Sequence, residues 1–176
     1  MTDGMAREIG IIGSEGMLGT ALVLGMSMTP NRALIQLPGS AMRMKAKALR
    51  IELKRYGALQ NVLQQYAQSL FIQVSQSAAC VSSHDVRQRL SRWLMMTHDR
   101  ALGDEFKMKH EFMSMMLGVT RSVVTRAAGR LQNEKMISYT RGQVTILDRR
   151  RLEATACECY AVVKEEYARR AHTLKS

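Results

Sequence analysis

Proline is almost missing from this 176-residue chain: Pro30 and Pro38 are the only two, and both lie before residue 40. Beyond Pro38-Gly39 the sequence is therefore free of the residue that most strongly breaks helix interiors. From Met44 to Met96 the only glycine is Gly57. Cysteine is scarce too, with Cys80, Cys157 and Cys159 alone. An odd count without a framework of pairs excludes a disulfide scaffold and fits a reducing cytoplasm. Cys157 and Cys159 form C-E-C, one residue too close for C-x-x-C, and no second pair completes a zinc site. The expectation is a thiol pair on a helix and no metal. Long apolar runs are absent as well. IIGSEGMLGTALVLGMSM is interrupted by Glu15 and by glycines at 13, 16, 19 and 25, and it lacks a cleavage region, which argues against a signal peptide or a membrane span.

Acidic residues are also short: 15 Asp and Glu stand against 26 Lys and Arg, for a net charge of +11 and a pI near 10.1. Such an excess favours a polyanionic partner, nucleic acid first and an anionic membrane surface second; the bland alternative is a merely basic protein. Hydrophobic residues make up 46% of the chain, enough for a packed core. Catalytic patterns are missing. His84, His98 and His110 are scattered without an i, i+4 pair, His172 sits in the tail, and there is no Ser/His/Asp order, P-loop or dinucleotide fingerprint. An enzyme is not expected. Asp99, Asp104 and Glu105 read as solvated loop acids, and most of the fourteen methionines as core filling.

Three regions follow from texture. Residues 1–44 are glycine-rich, with short apolar runs (IGII, ALVL, RALIQL) that predict short strands and turns. Residues 45–82 predict a short helix, KAKALRIELKRY, a break at Gly57, and a long helix. On the latter Leu59, Val62, Leu63, Tyr66 and Leu70 form a stripe at helical spacing. That stripe either packs on its own domain or pairs two subunits; the second reading gains from the small size of the N-terminal region. Residues 83–176 predict a helix from Asp85 to Met96, a loop at HDRALGDEF, and helices over 108–117 and 120–131 joined at Gly118. A hairpin in MISYTRGQVTILD turns at Arg141-Gly142, and one final amphipathic helix ends in a fraying basic tail.

Helix, tight turn, helix and hairpin in this order make a winged helix-turn-helix. Met113, Met116 and Leu117 face inward, Gly118 supplies the turn, and Val119 fills the gap between the helices. Val124, Ala127, Ala128 and Leu131 fall at i, i+3, i+4 and i+7 on the second helix. That leaves Arg121, Ser122, Thr125, Arg126, Gly129 and Arg130 outward, with Thr120 placed as N-cap. Between Lys109 and Arg151 nine Lys/Arg face three Asp/Glu. A major groove admits one such helix, and arginine can donate twice to guanine. The expected base readers are Arg121, Ser122, Thr125 and Arg126. The expected phosphate contacts are Lys109, Thr120, Arg130 and Arg141.

The phrases LGVTRSVVTRAAGRLQ and MISYTRGQVTI resemble the Crp/Fnr family of bacterial transcription regulators, and the resemblance covers nearly the whole chain, strongest from about residue 83 onward. It implies an α+β fold with a β-roll (jelly-roll) sensor, a long dimerisation helix and a C-terminal winged helix-turn-helix. It also implies a homodimer on two-fold double-stranded DNA and a contact with RNA polymerase. By position Arg121, Ser122 and Arg126 match the family's base-contacting slots, the middle one being most often an acid in cyclic-AMP-responsive members. GMLGTALVLGMSMTPNRALIQ resembles the phosphate-binding cassette, but Gly19-Thr20 and Arg32-Ala33 stand where the cyclic-nucleotide pattern has Gly-Glu and Arg-Ser. Arg32 remains a weak anion-binding candidate beside its plain reading as an exposed turn arginine. Neither a cyclic nucleotide nor an iron–sulfur cluster is expected, the latter because the family's cluster cysteines lie in an N-terminal region this chain lacks. Residues 1–44 supply only about half the strands of a jelly roll, so a partial, N-terminally shortened sensor is expected. The rival function is a ligand-sensing or protein-interaction module whose basic surface meets an acidic partner.

Overall fold

The computed structural model describes residues 6–173. It is an α+β structure: eight helices and one three-stranded antiparallel sheet are present among the described residues. A single helical turn, α1 (Thr20–Val23), precedes α2 (Ala46–Leu53) and the 26-residue α3 (Ala58–Ser83). Gly57 is the N-cap of α3, so the expected break falls where the sequence put it. Then come α4 (Val86–His98), β1 (Glu105–Lys107), α5 (His110–Leu117), α6 (Arg121–Asn133), β2 (Ile137–Thr140), β3 (Gln143–Ile146), α7 (Arg149–Thr155) and α8 (Cys159–Thr173).

One helix organises the core. Asp85 caps α4, accepting from the Gln88 amide at 2.9 Å, while the Gln88 side chain reciprocates at 3.2 Å. This capping box fixes the helix start immediately after α3 ends. Residues Arg89 to Thr97 are all buried, so α4 is enclosed on every side by α6, α7, α8 and α5 rather than presenting one apolar face. Arg89 and Arg92 are buried along with the apolar residues. Leu90, Trp93, Leu94, Met95 and Met96 form one cluster with Met113, Val124, Leu131, Ile137, Val144 and Leu152.

The sheet order is β1-β3-β2. Phe106 pairs with Val144, and Tyr139 pairs with Val144 from the other side. Strand alternation buries Phe106, Val144 and Ile146 while Glu105, Lys107 and Thr140 stay exposed. The sequence predicts a loop here rather than β1, because three residues are too few to show a period. Its acids are engaged: Glu105 accepts from Gln143 at 2.6 Å, Asp104 meets His98 at 2.7 Å, and Asp99 accepts from Tyr160 at 2.9 Å and Arg149 at 2.6 Å.

Two expectations need correction. Residues 6–44 hold no strand; besides α1 they run as extended and turn segments, so the β-roll reading is not borne by the described residues. A strand needs neighbours to take its amide and carbonyl groups, and the ladder here goes elsewhere. Ile11 N–H donates to Gln73 Oε1 at 2.8 Å, and Gln73 Nε2 donates back to the Ile11 carbonyl at 3.2 Å. Residues 8–16 thus lie as a strap across α3, α4 and α8, held by Glu15–Arg100 at 2.6 Å and by a hydrogen bond from Trp93 to Glu8 at 2.5 Å. Leu24, Met26, Met28, Ile35, Met42 and Met44 are exposed, so core filling describes the later methionines and not these.

The second correction concerns the C-terminus. The single final helix is two, α7 and α8, divided at Ala156, whose backbone is extended (ψ 154°). Asp148 caps α7 by accepting from the Arg151 amide at 2.9 Å. Helix α8 folds back against α3, with Gln73 donating to Tyr167 at 2.9 Å and Ser69 to Glu166 at 3.0 Å. The face of α3 under α8 is Tyr66, Ser69, Gln73, Ser77 and Cys80, all buried and mostly polar. Of the expected apolar stripe Tyr66 is buried, Val62, Leu63 and Leu70 are half-buried, and Leu59 is exposed; Phe71 and Val81 are exposed as well. The tail expected to fray, 174–176, lies outside the described residues.

Candidate nucleic-acid interface

Helices α5 and α6 meet across a three-residue turn. Gly118 ends α5 in the left-handed region (φ 69°), and its amide and that of Val119 bond back to Met115 and Ser114. Only glycine takes this conformation cheaply. Val119 packs against the core cluster. Thr120 occupies the N-cap of α6 with extended backbone, but its hydroxyl does not cap an amide. It lies 3.0 Å from Ser122 Oγ instead.

The division of α6 is as the spacing requires. Val124, Ala127, Ala128 and Leu131 are buried; Arg121, Ser122, Thr125, Arg126 and Arg130 are exposed. Burying small Ala127 and Ala128 lets α6 approach α4 closely while the long arginines stay in water. Arg121 pairs with Glu111 at 3.1 Å, both being two-thirds exposed or more, so the pair is weak and easily opened. Arg126 and Arg130 line a shallow cleft with Val123 of α6 and with Asp85 and Arg87 at the start of α4.

Thr125 is less free than its exposure suggests. Its hydroxyl donates to the Arg121 carbonyl at 2.9 Å and lies 3.0 Å from His110 Nδ1. His110 in turn stacks on Tyr139, with ring centroids 4.0 Å apart and 15° between planes. Burial, with Arg121 nearby, holds the His110 pKa below its ordinary value, keeping the ring neutral. This link between α5, α6 and β2 was missed in sequence, because its three residues are far apart there and each is ordinary alone.

The hairpin turns through Arg141 (φ 50°) and Gly142 (φ 81°), two successive left-handed residues as in the type I′ loops that suit strand twist. Arg141 is exposed at the tip, and Lys109, the N-cap of α5, is exposed beside it, its Cγ near Gly142. The Met108 amide donates to the Gly142 carbonyl at 2.7 Å, tying the tip to the start of α5. Lys109, Arg141 and the α6 side chains thus lie on one unit built from α5, α6 and the hairpin. Arg32 is exposed in an irregular segment and is not joined to this unit by any described hydrogen bond.

Residues 88–155 match the model of the Crp-like helix-turn-helix domain. Over this stretch the chain is similar to a Crp-like helix-turn-helix domain. No curated protein is matched. Among solved structures the chain resembles a Crp/Fnr-family transcriptional regulator from Thermus thermophilus, with TM-score 0.50 and 19% identity over 53% of this chain and 51% of that one. It resembles a CooA mutant from Carboxydothermus hydrogenoformans (TM-score 0.52, 15% identity, 61% of this chain and 53% of that). FixK2 from Bradyrhizobium japonicum is similar at TM-score 0.52 and 16% identity, over 64% and 56%. The chain therefore spans about half the length of the structures it resembles. At these identities the likeness is one of fold: a Crp/Fnr regulator fold with its helix-turn-helix. The Crp-like match begins inside α4 and ends with α7, so it takes in α5, α6 and the hairpin and leaves out α8. No described helix is long and apolar enough to cross a membrane.

Four side chains that lie away from the α6 face also come together. Cys80, Cys157 and Cys159 converge with His84 where α3, α4, α7 and α8 meet, their ligating atoms all within 4.8 Å of one another. The C-E-C pair alone lacked partners in sequence; the fold supplies them from about 75 residues away.

Proposed function

We propose that this protein is a Crp/Fnr-type transcription regulator that binds a specific two-fold DNA site as a homodimer. The observation that carries the reading is α6: a helix with one buried apolar face and an outer face of Arg121, Ser122, Thr125, Arg126 and Arg130, next to a hairpin tipped by Arg141. Arg121, Ser122, Thr125 and Arg126 read bases in the major groove. Lys109, Thr120, Arg130 and Arg141 hold phosphates on either side. Arg121 leaves Glu111 to do so. Ser122 is too short for the bidentate contacts of arginine or glutamine, so its position is read through Oγ alone.

Two-fold pairing is supported by α3, whose Phe71 and Val81 remain exposed next to half-buried Leu63, Leu70 and Val74. Leu63 and Leu70, and Val74 and Val81, are each seven residues apart, the heptad repeat of a helix-pairing seam. RNA polymerase is the natural further partner of such a regulator. The acting experiment is selection of bound duplexes from a random pool by the purified chain. A single two-fold consensus, bound with steep salt dependence, supports the reading. Equal retention of unrelated duplexes would leave only a basic surface.

A further inference from the structure

The cysteines and His84 lie off the α6 face and take no part in the function proposed above. Cys80 comes from the last turn of α3, His84 is the C-cap of that helix, Cys157 lies in the α7–α8 break, and Cys159 opens α8. All three cysteines are free and buried. Cys80 Sγ stands 3.4 Å from Cys157 Sγ, and Cys159 Sγ stands 3.6 Å from His84 Nδ1. A tetrahedral centre with bonds of about 2.3 Å to sulfur and 2.0–2.1 Å to nitrogen separates its donors by about 3.5–3.8 Å. These two separations match such a figure closely, and all four donor atoms lie within 4.8 Å of one another.

We propose that Cys80, His84, Cys157 and Cys159 form a closed four-coordinate zinc site that pins α8 to the α3–α4 junction. Four protein donors with no open position make it a structural rather than a catalytic site. The surroundings fit a thiolate-rich centre. His84 Nε2 bonds the Glu158 carboxylate at 3.1 Å, which turns Nδ1 toward Cys159 and raises its basicity, the outer partner zinc-binding histidines usually have. Gln76 Nε2 donates to Cys159 Sγ at 3.3 Å. Zinc with three thiolates and a neutral imidazole carries a net charge of −1, and two buried cations answer it. Arg89 and Arg92 interact electrostatically with Cys80, and neither donates to a carboxylate among the described residues. A buried guanidinium gains from a nearby anion, and such a centre would supply one.

The test is metal titration of the full chain, reduced and free of metal, under anaerobic conditions. Cobalt(II) should bind one ion per chain with the intense visible bands of a tetrahedral thiolate site, and stoichiometric zinc should bleach them. X-ray absorption of the zinc form should give three sulfurs at about 2.3 Å and one nitrogen at about 2.0–2.1 Å. Cys157→Ser and His84→Ala should each weaken binding by more than tenfold. Glu158→Gln, which keeps all four ligands and the fold, should weaken it by about tenfold. Substoichiometric uptake, an all-oxygen and nitrogen shell, an iron centre, or a Cys80–Cys157 disulfide that takes up no metal after reduction would each overturn the proposal.

Discussion

Thr125 and His110 face each other across the α5–α6 junction, Oγ1 to Nδ1 at 3.0 Å, and the same hydroxyl donates to the Arg121 carbonyl. A hydroxyl so engaged has little left for a base edge. The methyl group of this exposed side chain is what remains for a base contact, and it suits a thymine methyl. Thr125→Val keeps that methyl and should bind the selected site within about threefold of the parent. Thr125→Ala should lose preference at one base pair by on the order of 1 kcal/mol. Competition titrations with single-base-substituted duplexes measure both; equal loss in the two variants would put the hydroxyl, not the methyl, on the DNA.

Arg126 is the simplest case, exposed on α6 without an ion-pair partner among those described. Arg126→Ala should cost about 1–3 kcal/mol on the selected site and relax one position of its consensus, while changing binding to random duplex little. Arg141→Ala should instead weaken both alike and reduce the salt slope by about one. If the two variants behave identically, their division into base and phosphate contacts is wrong.

Legibility in the sequence followed the range of the interactions. The buried and exposed faces of α6, the Gly118 turn and the Arg141-Gly142 hairpin are set by residues within one or two turns of each other, and spacing alone revealed them. The three-residue β1 exists only because β3 offers it a partner, so no local pattern marked it. Residues 6–44 carry apolar runs like those of strands, yet Ile11 is satisfied by the side chain of Gln73, which no local rule anticipates. The Cys80–His84–Cys157–Cys159 group failed for the same reason: C-E-C is uninformative until α8 folds back on α3.

Gly16 shows how tightly the strap lies on α3. A Cβ there would fall 2.3–2.4 Å from the Tyr66 ring and hydroxyl, and Tyr66 is fully buried. The ring is the middle of a packed stack, with the Arg170 guanidinium 5.1 Å from its centroid, so it cannot step aside cheaply. Gly16→Ala should destabilise the fold by about 1–3 kcal/mol. Gly57→Ala, where nothing lies near the added carbon, is the matched control and should change stability far less. Urea denaturation with equal m-values separates the two.

Glu8 carries a pH dependence of its own. Burial raises its carboxyl from 4.5 to about 7, against the opposing pull of the Trp93 hydrogen bond and of Arg92 and Arg100. A folded-state pKa above the unfolded one means that the folded chain holds the proton more firmly between the two values. The stability from this group is therefore complete below about 4.5 and is lost as the pH rises through about 7. Glu8→Gln keeps an oxygen for Trp93 Nε1–H, 2.5 Å away in the parent, and removes the charge. Above pH 7 the variant should be the more stable by on the order of 1–2 kcal/mol, with part of the full shift discounted because the side chain is only half-buried. At pH 4.5 the two should melt together. Thermal unfolding across this range decides it: a variant less stable at both ends would mean that the ionised carboxylate is held by Arg92 and Arg100 and supports the strap instead of straining it.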